Sequence, residues 1–334
     1  MSELRQNPAT KEWVIIATER AKRPEDFPKT PSPPSAELPK FCPFCPGNED
    51  STPPEVLSYR KEGTEPNKSG WWIRVIRNRF AALTPDGSLE RKELGFFRSM
   101  DGVGHHEVVI EMPEHHKSIT TAERKQVEEI ILAYRERYLA LVEDPRVQLV
   151  IIFKNHGKAA GSSLEHPHSQ IVATPIVPGR IRERIEAAIR HYDDHGACVY
   201  CEIMKEEKNE GKRIVLENDD FFVFEPFAPR SPFETWVLPK RHSSTFGQIT
   251  IDEAKNLAAI LQTTLKKVHS GLGNPDYNFV IHTAPKRDVN EEYYHWHIQI
   301  ILRLSIPAGF EMGSGIYINV IPPEECARFL REID

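Results

Sequence analysis

One arrangement of polar residues occurs twice along the chain, and it restricts the fold more than any other feature. The first copy reads Cys42-Pro43-Phe44-Cys45, then His115 ahead of a helical pattern, then His166-Pro167-His168-Ser169-Gln170. The second reads Cys198-Val199-Tyr200-Cys201, then His242 ahead of a second helical pattern, then His295-Trp296-His297-Ile298-Gln299. From His115 to His166 is 51 residues and from His242 to His295 is 53, while the second cysteines sit 70 and 41 residues upstream of the helix-proximal histidines. A loop-length difference accounts for that one mismatch. Shared order with near-equal spacing points to an internal duplication, with an N-terminal half at 1–180 and a C-terminal half at 181–334.

The apolar pattern agrees. In the first half, Val108-Val109-Ile110, Val147–Phe153 and Ile171-Val172-Ala173 read as buried strands. Val127, Ile130, Ile131, Tyr134, Tyr138 and Leu141 recur at helical spacing, so a helix is expected over about 121–142, opened by Thr120-Thr121-Ala122-Glu123 as a capping box. In the second half, a helical linker at 181–195 precedes strands at Phe221–Phe224, Thr235–Leu238, Tyr277–Ile281 and His297–Leu302. Thr250-Ile251-Asp252-Glu253 is a second capping box, and Ala254, Leu257, Ala258, Leu261, Leu265 and Val268 mark its helix. Each half is then an antiparallel sheet with one long helix, which makes the class α+β. Lys22 to Pro54, rich in proline, serine and lysine, reads as an irregular arm.

With 43 basic and 49 acidic residues the net charge is −6, which argues against a nucleic-acid binder. No apolar run reaches 18 residues and the N-terminus has no apolar signal core, so no membrane partner and a cytoplasmic location are expected. In a reducing compartment two CxxC pairs point to metal rather than to disulfides. A structural zinc takes four tetrahedral ligands, commonly two cysteines from a tight turn and two histidines. The expected sets are Cys42, Cys45, His115 and His166, and Cys198, Cys201, His242 and His295, one Zn2+ each. His116, beside His115, is the alternative ligand in the first set. The competing account is buried thiols with unrelated surface histidines. Cys326 stands outside both sets.

On an extended segment, residues two apart share a face, so His166, His168 and Gln170 point one way. The glycine-rich stretch Asn155-His156-Gly157-Lys158-Ala159-Ala160-Gly161-Ser162-Ser163 directly precedes them, and as a loop it offers backbone N–H groups and two serine hydroxyls to an anion. Neutral imidazole beside an anion cradle suits attack on phosphorus. Gln170 is placed to donate to a phosphoryl oxygen as charge shifts in the transition state. Basic groups at Arg20-Ala21-Lys22-Arg23-Pro24 and Arg77-Asn78-Arg79 read, taken alone, as solvated charged faces. Trp71-Trp72 and Phe80 read as core before they read as a base-stacking surface.

Together these residues resemble the galactose-1-phosphate uridylyltransferase family, a branch of the histidine-triad superfamily. The marks are RAKRP at 20–24, CPFC at 42–45, EMPEHHKS around His115, NHGKAAGSSLEHPHSQ, and PFETWVLPKRH at 232–242, and the resemblance runs over nearly the whole chain. It implies two fused histidine-triad-like halves forming one mostly antiparallel sheet with flanking helices, working as a homodimer. It implies a ping-pong reaction in which His168 attacks the α-phosphorus of a nucleotide sugar, releases sugar 1-phosphate, and passes the nucleotidyl group to a second sugar phosphate or to phosphate. His166 would ligate zinc while its carbonyl orients the ring of His168. Gln170 and Ser163 would contact the phosphoryl group, and Arg20, Arg23, Asn78, Asn155 and Gly161 would bind substrate. Iron occupies second sites in some members; two cysteines with two histidines favour zinc.

Two positions depart from the uridylyltransferase pattern. Arg79 follows Asn78 where an aspartate is usual, and Ser314-Gly315 aligns where a Tyr-Glu pair holds the hexose. Both resemble relatives that phosphorolyse ADP-glucose. The leading reading is therefore nucleotidyl transfer, most simply between UDP-glucose and a hexose 1-phosphate, with ADP-glucose phosphorolysis as the alternative. A zinc-stabilised nucleotide-binding module without turnover is the reading from another class. His297 reads as a duplication remnant or packing residue, because no glycine-rich loop precedes it.

Overall fold

The computed structural model describes residues 2–17 and 41–333. In chain order the strands are β1 (Glu3–Gln6), β2 (Trp13–Ile16), β3 (Glu55–Arg60), β4 (Trp71–Arg77), β5 (Lys92–Leu94), β6 (Phe97–Ser99), β7 (His105–Ile110), β8 (Leu149–His156), β9 (His168–Thr174), β10 (Ile214–Glu217), β11 (Phe221–Phe224), β12 (Thr235–Pro239), β13 (Tyr277–His282), β14 (His297–Leu302) and β15 (Tyr317–Asn319). The helices are α1 (Arg124–Val142), α2 (Gly179–His195), α3 (Val199–Glu210), α4 (Ile251–Leu272), α5 (Gly309–Ser314) and α6 (Pro323–Glu332).

Ten strands form one sheet in the order β10-β11-β12-β14-β13-β8-β9-β7-β4-β3. Read outward from the β13/β8 seam, the two sides run 13-14-12-11-10 and 8-9-7-4-3, the same order in each half. Every pairing in this sheet is antiparallel. At the seam Asn278 lies opposite Asn155 and Val280 opposite Phe153. A small second sheet joins β1 and β2 antiparallel and β15 to β2 in parallel.

Strand alternation gives the large sheet two different faces. On one, Val109, Ile152, Ile171, Phe279, Ile298 and Val237 meet α1 and α4 in the main core. Among the described residues, the other face is covered only at its ends. Cys42, Phe44, Ile76, Val108 and Ile110 pack together at the first-half end, and Tyr200, Phe222, Phe224, Trp236 and Tyr294 at the second-half end. Between them, Phe153, Asn155, Gln170 and Val280 remain half-buried, leaving a strip over β9, β8 and β13 that is open among the described residues.

The two capping-box expectations part company. Thr250 accepts from Glu253 N–H (3.1 Å) and Glu253 Oε2 accepts from Thr250 N–H (2.8 Å), a complete box at the start of α4. At α1 no box forms. Thr121 Oγ1 accepts from Ser118 N–H (2.9 Å) and Thr120 Oγ1 lies 2.7 Å from Ser118 Oγ, so a local turn consumes both hydroxyls. The helix opens after Glu123, three residues later than the pattern suggests, without a side-chain cap. The glycine-rich stretch also begins later than expected, because Asn155 and His156 belong to β8. Thr250→Ala should lower stability by about 1 kcal/mol and Thr120→Ala by less than about 0.5 kcal/mol, read as urea midpoints.

Candidate functional site

The first Cys-His group assembles as expected. Cys42, Cys45, His115 and His166 offer ligand atoms all within 4.8 Å of one another, as do Cys198, Cys201, His242 and His295. Cys45 Sγ lies 3.4 Å from His115 Nδ1 and 3.6 Å from His166 Nδ1, and Cys42 Sγ lies 3.8 Å from His166 Nδ1. In the second group Cys201 Sγ is 3.3 Å from His242 Nδ1 and 3.5 Å from His295 Nδ1. His166 Nε2–H donates to the Met112 carbonyl (2.8 Å), which turns the Nδ1 lone pair toward the sulfurs. Burial pushes His166 down to about 4 and also lowers His115 and His295, so these rings stay neutral, the form that binds a metal ion. His116 is exposed and outside the group.

His168 opens β9 and is 7% exposed. Its Nδ1–H donates to the His166 carbonyl (2.8 Å), leaving the lone pair on Nε2. Burial lowers its pKa, again favouring the neutral ring. Phe44, inside the CxxC turn, meets His168 edge-on at 5.5 Å and His166 at 6.1 Å, so one turn carries two cysteines and one wall of the His168 pocket. Gln170 shares the face of His168, and its Oε1 lies 2.8 Å from His106 Nε2. Continuing the β8/β9 register past Phe153 and Gln170 sets Asn155 opposite His168.

The glycine-rich loop is a narrower anion cradle than its sequence suggests. Ala159 N–H donates to Asp276 Oδ2 (2.6 Å), Gly161 N–H to the Lys158 carbonyl (3.0 Å), Ser162 N–H to the Gly157 carbonyl (3.1 Å) and the Ser162 hydroxyl to the Leu164 carbonyl (2.8 Å). Asp276 sits so close that a Cβ at Gly157 would stand 1.8 Å from its Oδ1, which explains the glycine there. Ser163 is exposed beside His168's strand, and Asn155 accepts from Asn278 Nδ2 (2.7 Å). Asn278 in turn accepts from Arg303 Nε (2.5 Å). Arg20 and Arg23 lie outside the described residues. Trp71 is core, but Phe80 is 85% exposed next to Asn78, contrary to its reading as a packing residue.

Beneath His168, on the helix-covered face, lies a buried network that no local motif announced. Lys154 Nζ donates to Glu111 Oε2 (2.6 Å) and to the His168 carbonyl (3.1 Å). Tyr134 donates to Glu111 Oε1 (3.1 Å), and Ser169 also donates to that oxygen. Burial would raise the Glu111 carboxyl, but the Lys154 ammonium beside it holds it below its ordinary value. Removing one partner leaves a buried charge alone.

The second half has the same scaffold and a closed site. His297 Nδ1–H donates to the His295 carbonyl (3.2 Å), repeating the His168 arrangement. Yet His297 is 1% exposed, stacked on Trp236 at 4.7 Å and flanked by Tyr200 at 5.0 Å. Trp236 lies opposite Gln299 where Val108 lies opposite Gln170. A tryptophan in place of a valine thus fills the space over the second histidine.

The chain is similar to known proteins over its whole length. The family model for the N-terminal domain of galactose-1-phosphate uridyl transferase matches residues 1–178, and one for a domain of unknown function (DUF4921) matches 111–332. An ADP-glucose phosphorylase from Arabidopsis thaliana is 36% identical over 99% of this chain and 93% of its own length. A galactose-1-phosphate uridylyltransferase from Thermotoga maritima is 32% identical over 100% of this chain and 99% of its own. A crystal structure of an Arabidopsis thaliana ADP-glucose phosphorylase with bound ADP-glucose superposes with TM-score 0.83 at 32% identity, covering 100% of both chains. A fold and a site of this kind define a nucleotidyltransferase. The chain belongs to the galactose-1-phosphate uridylyltransferase family, and shares features with its ADP-glucose phosphorylase relatives.

Lys154→Met should destabilise the protein by about 3–5 kcal/mol, and adding Glu111→Gln should return part of that loss in thermal unfolding. A double variant no more stable than the single one would mean that Glu111 carries no uncompensated charge.

Proposed function

We propose that this enzyme transfers a nucleoside monophosphate between phosphate acceptors through a nucleotidyl-His168 intermediate. The observation that carries the reading is the His168 ring, with Nδ1–H tied to the His166 carbonyl and Nε2 without a partner among the described residues, on the strand face it shares with Gln170. Nε2 attacks the α-phosphorus of a nucleotide sugar, and the bond from that phosphorus to the bridging oxygen breaks. Sugar 1-phosphate leaves with the electron pair as an anion whose second pKa is near about 6, so no strong general acid is required. An oxygen of the acceptor phosphate then attacks the same phosphorus, and the N–P bond breaks back to His168. Gln170 and Ser163 donate to the phosphoryl oxygens, while Asn78, Asn155, Gly161, Arg20 and Arg23 hold the nucleotide.

UDP-glucose with a hexose 1-phosphate is the simplest pair. ADP-glucose with inorganic phosphate is the second reading, favoured by Arg79, by Ser314-Gly315 and by the similarity to an ADP-glucose phosphorylase. Both Cys-His groups are read as zinc sites. At tetrahedral zinc, sulfur at about 2.3 Å and nitrogen at about 2.0–2.1 Å stand about 3.5 Å apart. The S–N separations of 3.3 to 3.8 Å in the two groups bracket that value. Bound there, zinc supplies cross-links rather than reactivity; the second site is the one at which iron is the alternative. The halves 1–180 and 181–334 are read as a duplicated pair, and a cytoplasmic homodimer as the working form. No helix among the described residues is long and apolar enough to cross a membrane.

Nucleotide sugar labelled in its α-phosphate should leave label on the wild-type protein and none on His168→Asn; unchanged labelling of that variant would remove the nucleophile assignment. The kcat/KM values of UDP-glucose and ADP-glucose, each with hexose 1-phosphate or phosphate, decide between the two pairs. Metal analysis should return about two zinc ions per chain. Cys42→Ala should abolish labelling, whereas Cys198→Ala should lower thermal stability with a smaller effect on labelling, because only the first group adjoins the nucleophile.

A further inference from the structure

The two copies of the HxHxQ element hold their glutamines differently, the second at both ends of the amide and the first, among the described residues, at the carbonyl end. In the second half Gln299 donates from Nε2 to Glu234 Oε1 (2.7 Å), and its Oε1 meets His282 Nε2 (2.9 Å), so both ends of the amide are engaged. In the first half the residue at the position of Glu234, two before the strand partner of the glutamine, is His106. Ala82 N–H donates to His106 Nδ1 (3.1 Å), which puts the ring proton on Nε2. Nε2–H therefore donates to Gln170 Oε1 (2.8 Å), and the amide nitrogen of Gln170 has no partner among the described residues. Asn78 Nδ2 stands 3.1 Å from the same Nε2 and meets no lone pair there, while its Oδ1 accepts from Phe80 N–H (2.9 Å). One imidazole thus leaves two side-chain amides with hydrogens to give.

We infer that His106 is a positioning residue for phosphoryl transfer: its Nε2–H pins the carbonyl end of Gln170 so that the amide N–H faces the phosphoryl oxygen during reaction at His168. The chemistry of the position decides the sign. A donor here turns Gln170 into a donor toward substrate. An acceptor here, as Glu234 is for Gln299, turns the carbonyl oxygen toward the phosphoryl group and repels it. The inference rests on the nucleotidyl-histidine reading of His168 and adds to it the group that fixes which way Gln170 points.

The test is a series at one position. His106→Gln keeps a donor, His106→Leu offers neither donor nor acceptor, and His106→Glu copies the second half. Rates of label transfer from nucleotide sugar to the protein should fall in the order wild type, Gln, Leu, Glu. The Gln variant should stay within about tenfold, and the Glu variant should lose about 10²–10³-fold, the effect of losing one transition-state donor. The loss should sit in kcat, with KM for the nucleotide sugar within about threefold. Equal losses for Gln and Leu at unchanged thermal stability would overturn the inference, as would a flat series. Wild type that takes up no label would instead overturn the nucleotidyl-histidine reading, so the two failures are distinct.

Discussion

The hydrogen bonds between β8 and β13 make the rest of the molecule possible. Each half alone would present one of these strands as a bare edge, an invitation to mispairing. Joined antiparallel, the two edges satisfy each other and set Asn155 beside Asn278. The seam also fixes the faces. With α1 and α4 on one side, the cysteine turns can close only the two ends of the other. Among the described residues the strip over the seam is the less covered part, with Gln170 and Asn155 half-buried beside His168. That strip follows from joining two units that, among the described residues, cover their outer strands more than their inner ones.

Within that shared frame the halves have diverged by a few side chains. Val108 and Trp236 occupy matching positions, and the larger one stacks on its histidine. Burial then pushes His297 down to about 3, and the ring lies against Trp236 instead of facing open space. His106 and Glu234 occupy another matching pair and reverse the polarity of the glutamine beyond them. The Cys-His group is present in both halves, including the one whose strand histidine lies under Trp236. The same scaffold thus occurs twice, with a tryptophan stacked on the strand histidine of the second half.

What the sequence discloses follows the range of each interaction. Strands and the long helices show themselves through period-two and 3.6-residue patterns, and the eight cysteine and histidine positions through their repetition. Residues whose partners are distant in sequence are silent. Glu111 and Lys154 are 43 positions apart and look like ordinary surface charges, yet they are buried against each other. His106 sits in a His-His pair that carries no motif; only its cross-strand neighbour identifies it, although aligning the two halves would have set it against Glu234. The Thr120 box fails for a local reason, since Ser118 offers the same hydroxyls a nearer partner. Phe80 fails the opposite way: an aromatic after a buried strand suggests core, but it follows the strand's end.

The small sheet has a meaning for how the chain is made. Strand β2 near the start is hydrogen-bonded in parallel to β15, and Ala17 N–H donates to the Asn319 carbonyl (2.8 Å). Arg230 pairs with Glu12, and Arg5 with Glu324. A ribosome delivers residues in order, so β2 can pair with β1 at once, but its other edge waits for β15, whose Tyr317 lies opposite Val14. Closure of the small sheet therefore joins segments made far apart in time, and a chain that stops before Tyr317 leaves one edge of β2 without its strand partner.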